Sequence, residues 1–356
     1  MYQRPALRSP LVLLATVALV AAACTGGASP SPSSAAPSAP PPMSAEPSDG
    51  ASAAPSELPG SKSFTVAFTS IGVSSVALLA AIDDLKSQGY TIETPEVADN
   101  NLIVQGVSTG EFQFSSGTTL AVMIATLQGA PVTIIGNRIG NEWTVASTTE
   151  VADCAGLDGK RYAHHSEAAV STAMGRNWIE QDCPGTTPEE VIIAGSDNRA
   201  NALIADQIDA TELELSDAIS LLASEGDRFH VLTSFSETLP DLKPSTIYGN
   251  TDYMTENPGD VVALLRATLA QHEQINADPE YLKSLATKYL PNVNQETIDE
   301  VAAQYVELGL FETDGGITTE GVDYTIDFFE QANALEAGLT VEQAADLTYL
   351  EMATGS

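Results

Sequence analysis

Residues 160–195 read KRYAHHSEAAVSTAMGRNWIEQDCPGTTPEEVIIAG. Lys160–Ala163 is a strand candidate, Glu167–Glu180 reads as a helix, and Val191–Ala194 is again a strand. The alternation continues downstream. Arg199–Asp206 reads as a helix, Ile208–Thr211 as a strand, Ser216–Glu225 as a helix and Phe229–Leu232 as a strand. Strands that alternate with helices predict a parallel sheet with helices on both faces.

The same rhythm occurs upstream. Phe64–Phe68 (FTVAF) is a short apolar run of β type, broken by Thr69-Ser70-Ile71-Gly72. Val76–Gln88 places Leu78, Leu79, Ile82 and Leu85 at helical spacing, and Gly89 closes it. Tyr90–Glu93 alternates like a strand, and Phe112–Phe114 is a strand candidate followed by Ser115-Ser116-Gly117. Leu120–Leu127 reads as a helix closed by Gly129, Pro131–Ile135 as a buried strand, and Trp143–Ala146 continues the β character. Two such runs predict two α/β lobes. Beyond Pro244, Ser245–Tyr248 is of β type. From Pro258 onward the chain reads as helical: Val261–Ile275, Pro279–Tyr289, Asn294–Leu308, Thr319–Ala337 and Val341–Met352. Asp260 and Thr340 look like helix starts, and Gly309 and Gly338 like helix ends.

Composition narrows the function classes. The formal charge of −34 opposes nucleic-acid binding, which needs clustered basic residues, and opposes a polybasic membrane-surface role. The length of 356 residues allows roughly two domains of ordinary size. Three cysteines exclude a multi-zinc scaffold.

The first sixty residues read as address and tether. Arg4 and Arg8 precede an apolar run, Leu11–Ala23, that is shorter than the about 20 residues of a membrane span and fits a signal-peptide core. Val20-Ala21-Ala22-Ala23-Cys24 resembles a bacterial lipobox, in which the cysteine sulfur carries a lipid; Ala21 stands where leucine is usual. An ordinary secretory signal with a stray cysteine is the alternative. From Thr25 to Gly60 every residue except Thr25, Met43, Glu46, Asp49, Glu57 and Leu58 is Pro, Ser, Ala or Gly. Such a segment buries too little apolar surface to offset its ordering entropy and acts as a tether. Outside the cytoplasm Cys154 and Cys183 read as one disulfide, with two separate buried thiols as the alternative.

Several passages, in order, resemble those of a known family. They are Gly110-Glu111-Phe112-Gln113-Phe114 with Leu127-Gln128-Gly129-Ala130-Pro131-Val132, then Leu157-Asp158-Gly159-Lys160. Ala202-Leu203-Ile204 with Gln207-Ile208-Asp209-Ala210, and finally Thr319-Glu320-Gly321, complete the set. Together they resemble type II periplasmic solute-binding proteins, in the branch serving ATP-binding cassette importers of nitrate, sulfonates, taurine and pyrimidine precursors. Gln113 and Asp206 depart from the usual Asp and Gly of that pattern. The resemblance covers about residues 63–353. It implies an α/β fold with two doubly wound sheets joined by a two-strand hinge, and a helical C-terminus. The implied division is a signal peptide at 1–23, a lipid-anchored linker at 24–62, lobe 1 at 63–147 plus 240–356, and lobe 2 at 148–239. The hinge crossings are expected near Trp143–Thr149 and Thr233–Ser245.

In that fold the ligand lies between the lobes, where strand ends and helix starts gather free N–H groups. The loops expected there carry Thr69, Ser70 and Ser74; Ser115, Ser116 and Thr118; His165, Ser166 and Glu167; and Glu212 with Glu214. The hydroxyls serve equally as helix caps. Glu212 and Glu214, two apart on a strand, point to one side and favour an amine- or amide-bearing ligand; solvated acids of an acid-rich protein are the alternative. Arg138 and Arg199 would counter by binding an anion, although Arg199 is rather expected at a helix start on the surface. Trp143 is a stacking candidate or a core residue.

Two motifs mislead. Gly106-Val107-Ser108-Thr109-Gly110 matches a nucleophile elbow, but β-type sequence follows where a helix should open. His164-His165 lacks the spacing of a metal site, and no phosphate loop is present. The expectation is therefore a monomeric receptor without catalytic residues, metal or cofactor, lipid-anchored at Cys24 on the outer face of the cell membrane. It would capture a small, nitrogen-containing solute and deliver it to permease subunits of an importer. A ligand sensor of the same fold and a secreted enzyme are the alternatives.

Overall fold

Val132–Asn137 (VTIIGN) and Ser245–Asn250 (STIYGN) are buried at every position, as strands covered on both faces must be. They belong to the first of two five-stranded sheets. The computed structural model describes residues 58–97, 99–167, 169–291 and 295–355. The expected leader, Cys24 and all of the Pro/Ser/Ala-rich segment before Leu58 lie outside these residues.

The strands are β1 (Ser63–Phe68), β2 (Thr91–Glu93), β3 (Phe114–Thr118), β4 (Val132–Asn137), β5 (Trp143–Thr148), β6 (Arg161–His164), β7 (Glu189–Ile192), β8 (Ala210–Glu214), β9 (Phe229–Ser234) and β10 (Ser245–Asn250). The first sheet runs β2-β1-β3-β10-β4 and the second β7-β6-β8-β5-β9. Each has four strands running one way and takes in one antiparallel strand that arrives from the other sheet. β10 pairs antiparallel with β3 and β4, and β5 pairs antiparallel with β8 and β9. The chain crosses between the sheets twice, from β4 to β5 and from β9 to β10. Trp143–Thr149, where the first crossing was expected, is instead mostly a strand of the second sheet. Its extended, largely buried sequence pairs on both sides, so the crossing falls earlier, after Asn137.

Helices cover the sheets. Val76–Ser87 buries most of its surface, facing the first sheet on one side and the helical C-terminal part on the other. Pro258–Ala277, with proline at its first position, packs against it. The C-terminal helix expected at Thr319–Ala337 stops at Gln331, and the last expected helix is split into Val341–Ala344 and Thr348–Thr354. The split occurs where Asp346 N–H donates to the Ile134 carbonyl of β4, a pairing an unbroken helix would forgo. Thr340 and Gln343 form a capping box, and Gly309 takes a positive φ at its helix end; Gly338, expected to end a helix, lies instead in the loop beyond Gln331, because the helix stops seven residues earlier. Pro59–Lys62 already dock on the first sheet's half: the Ser61 and Lys62 amides donate to the buried Asp260 carboxylate at 2.9 and 3.2 Å.

Cys154 and Cys183 are joined in a disulfide, tying the segment after β5 to the end of the helix Val170–Asp182. Among the described residues no helix is long and apolar enough to cross a membrane.

Candidate functional site

The registers of both sheets bring their functional ends together. In the first sheet, Ser245 opposes Thr118 and Thr246 opposes Asn137, so the carboxyl ends of β3 and β4 meet the start of β10. In the second, Trp143 opposes Glu214, so the end of β8 meets the start of β5. A cavity of about 340 Å³ lies between these two edges. That is the lower end of the range for small-molecule sites, about 300–1,000 Å³.

From the first sheet's side the cavity takes Thr69, Ser70, Gly72 and Ser74 after β1, Thr118 at the end of β3, and Arg138 after β4. Thr118 Oγ1 is buried without a hydrogen-bond partner. Asn100 also lines the cavity, from the start of a helix, Asn100–Ser108, that the sequence reading had not assigned. Its signal was Asp99, whose carboxylate caps the helix by accepting from the Asn101 and Leu102 amides. That helix ends at Ser108, so the Gly106–Gly110 motif is a helix end and no strand-to-helix elbow.

From the second sheet's side come Trp143, His165, Val170, Gly195 and Glu214. His165 Nδ1 accepts the Gly195 amide at 3.1 Å and faces Arg199 Nη1 at 3.4 Å. Both neighbours are donors, so the ring proton sits on Nε2. Burial, reinforced by the Arg199 charge, lowers the pKa of His165 and keeps it neutral. Arg199 itself is fully buried; its Nε and Nη2 donate to the Glu212 carbonyl at 3.0 and 2.9 Å, and Nη1 to Ile193. Expected at the surface, it is instead a structural clamp behind the cavity, because its guanidinium satisfies the Glu212 and Ile193 carbonyls.

The charged lining is unusual. Arg138 is 8% exposed, donates through Nη2 to Ser245 Oγ at 3.0 Å, and leaves Nε without a partner. Glu214 is half-buried, and its amide donates to Ser196 Oγ at 2.9 Å. Burial pushes the Glu214 carboxyl up to about 8, Glu142 and Asp217 adding to the shift while Arg138 and Arg199 oppose it. Glu142 lies behind, in the crossing segment. It accepts from the Tyr305 hydroxyl, and burial raises its pKa against the pull of Arg138.

Of the expected residues, Thr69, Ser70, Ser74, Thr118, Trp143, His165 and Glu214 line the cavity. Ser115 and Ser116 do not. They continue β3, paired with Ala67 and Phe68, and Ser115 Oγ donates to the Ala67 carbonyl. Ser166 and Glu167 lie outside the lining, with Glu167 exposed and paired to Arg176 at 2.9 Å. Glu212 is buried in the second sheet, its Oε1 2.8 Å from His164 Nδ1, because the helix Val170–Asp182 covers that part of β8. Arg138, weighed only as a counter-charge in the sequence, is central to the lining. A second opening of about 770 Å³ adjoins the cavity and shares Ser70, Gly195 and Glu214 with it.

Residues 85–281 match the family described as NMT1/THI5 like. No curated protein sequence matches the chain. Among solved structures, the periplasmic nitrate-binding protein NrtA of Synechocystis aligns with a TM-score of 0.68 at 10% identity, over 84% of this chain and 89% of that one. The ligand-binding component of an ABC-type import system from Staphylococcus aureus, solved with zinc bound, aligns at 0.67 and 12% identity, over 83% and 99%. The alkanesulfonate-binding protein SsuA of Xanthomonas axonopodis pv. citri, bound to MOPS, aligns at 0.64 and 15% identity, over 81% and 99%. At these identities the likeness establishes the fold, the two-lobed α/β architecture of periplasmic binding proteins.

Proposed function

The chain belongs to the NMT1/THI5-like family, and from that premise we propose that it is an extracytoplasmic solute receptor. It captures a small, nitrogen-containing organic molecule between its two halves and delivers it to the permease of an ATP-binding cassette importer. Cys24 carries the lipid anchor, and the segment from there to the docked Pro59 is the tether. Extended, that tether reaches on the order of 100 Å. The receptor works as a monomer and does no chemistry on its cargo.

The observation that carries this reading is the cavity between the two sheet edges, lined from both halves and bordered by both crossings. A ligand touching both edges lowers the free energy of the closed arrangement relative to the open one. Hinge closure therefore follows from differential contact. The permease would then distinguish loaded from empty receptor by shape.

The test is thermal denaturation of the full-length protein, purified in mild detergent, against a panel of nitrate, sulfonates, amino acids, amines and aminopyrimidines. A solute that binds only the folded state raises the melting temperature in proportion to the logarithm of its excess over Kd. No shift with any solute class would refute the receptor reading.

A further inference from the structure

Within the cavity, inside its exposed rim, stand one cation and one acid, Arg138 and Glu214, that do not satisfy each other. Arg138 stands at the end of β4 in the first sheet's half, and Glu214 at the end of β8 in the second. Among the described residues neither forms an ion pair. Arg138 has only the Ser245 hydroxyl, and the Glu214 carboxylate has no hydrogen-bonding donor. Gly72 approaches Glu214 from the opposite half, where a Cβ would lie 3.4 Å from Oε2. The acid is thus confined at the cleft while its outer side stays open to a ligand.

A buried, unpaired Arg138 is costly, and Glu214 avoids that cost by keeping its proton; a ligand that supplies an anion to the first and a cationic nitrogen to the second recovers the one cost and lets the other group ionise. A simple anion would satisfy Arg138 but face Glu214, with Glu142 behind. A simple cation would satisfy Glu214 but face Arg138. We propose that the cavity selects a small zwitterion, its acidic group held by Arg138 and its cationic nitrogen by Glu214. The inference rests on the receptor reading and adds the charge class of the ligand. It also ties selectivity to mechanism. The two charges sit on different halves, so only a molecule bearing both links them at full strength. Asp197 adds a second acid at the rim, but it is exposed and screened by water. Trp143 and Val170 supply apolar walls for the short chain between the two charges.

The experiment is calorimetric titration of the full-length protein in detergent with matched sets of probes. One set is taurine, ethanesulfonate and ethylamine; another is β-alanine, propionate and ethylamine. Longer ω-amino acids with their deaminated partners extend the series, and neutral pyrimidines complete it. At least one zwitterion is expected to bind, with both of its singly charged analogues weaker by about 30-fold or more, the scale of an unpaired buried charge. Glu214→Gln should lower the affinity for that zwitterion by a similar factor and spare the deaminated analogue. Arg138→Gln should remove the preference for the zwitterion over the amine. The probe series on the unaltered protein does not depend on the variants' folding, which melting curves would check. Equal or tighter binding of an anion, an amine or a neutral pyrimidine would overturn the zwitterion proposal and leave the receptor standing. Absence of binding by every charge class would overturn both.

Discussion

Gly175 lies directly over the carboxylate of Glu212, with no space between them for a methyl group. A Cβ at Gly175 would collide with Glu212 Oε1 and come within 3.0 Å of the Tyr162 hydroxyl. This contact seals Glu212 under the helix Val170–Asp182. Glu214, two residues further along β8, emerges beyond that cover into the cleft.

Gly175→Ala should therefore destabilise the protein although it improves helix propensity. Glu212 cannot swing aside easily, because His164 holds it at 2.8 Å. Overpacking costs about 1–3 kcal/mol, and helix propensity returns up to about 1. Chemical denaturation should show a lower midpoint with an unchanged slope. A midpoint equal to wild type would mean that Glu212 is not held in place.

Glu214 should make stability depend on pH in a defined direction. Its carboxyl titrates from 4.5 in the unfolded chain to about 8 in the fold. The proton is thus favoured by the native state. That contribution is complete below about pH 4.5 and is lost as pH rises through 8. Relative to wild type, Glu214→Gln should gain stability steadily between those values. Melting temperatures of both proteins across that window give the comparison. His164, whose burial is outweighed by Glu212 and Glu190 so that its pKa is raised, contributes the same sign to both proteins and cancels.

Arg199→Lys should behave as a disruptive change. The guanidinium serves the Glu212 and Ile193 carbonyls at once while facing His165, and a single ammonium cannot reproduce that fork. Loss of about 2–3 kcal/mol is expected from the carbonyls left unsatisfied. Imidazole NMR should show the His165 tautomer no longer fixed. An unperturbed His165 signal would separate the clamp from the cavity.

The disulfide closes a loop of 29 residues in sequence separation. In the chain-entropy picture, removing such a link costs roughly 3–4 kcal/mol. Cys154→Ser with Cys183→Ser should lower the melting temperature, and added reductant should not lower it further. A double variant as stable as wild type would show that packing alone holds that corner.

Trp143 lines the cavity, whereas Trp178, the other tryptophan, is buried in the core. Ligand binding should change the fluorescence of wild type and of Trp178→Phe but not of Trp143→Phe. A change retained in Trp143→Phe would place the responsive tryptophan away from the cleft.

Much of the fold was legible locally because helix and strand periodicity is a property of neighbouring residues. Val76–Ser87 and Pro279–Tyr289 coincide with their patterns to within a residue. Boundaries failed where a sequence with loop composition is held by pairing. Ser115-Ser116-Gly117 looks like a turn, yet β1 on one side and β10 on the other keep it extended. The helix Asn100–Ser108 was unread because its apolar stripe is short; only Asp99, as a cap, announced it.

The sequence by itself determined the order of strands and helices, and with it the class of two α/β halves. It also determined which loops carry polar side chains, because hydrophobic period and turn chemistry act over a few residues. Only the tertiary structure decided which of those side chains meet. It set β5 and β10 antiparallel inside the opposite sheets, and it covered Glu212 with Gly175 while leaving Glu214 open. It also placed Arg138, unpaired, across the same cavity. These outcomes depend on registers and covers between segments far apart in the chain, for which local pattern carries no signal.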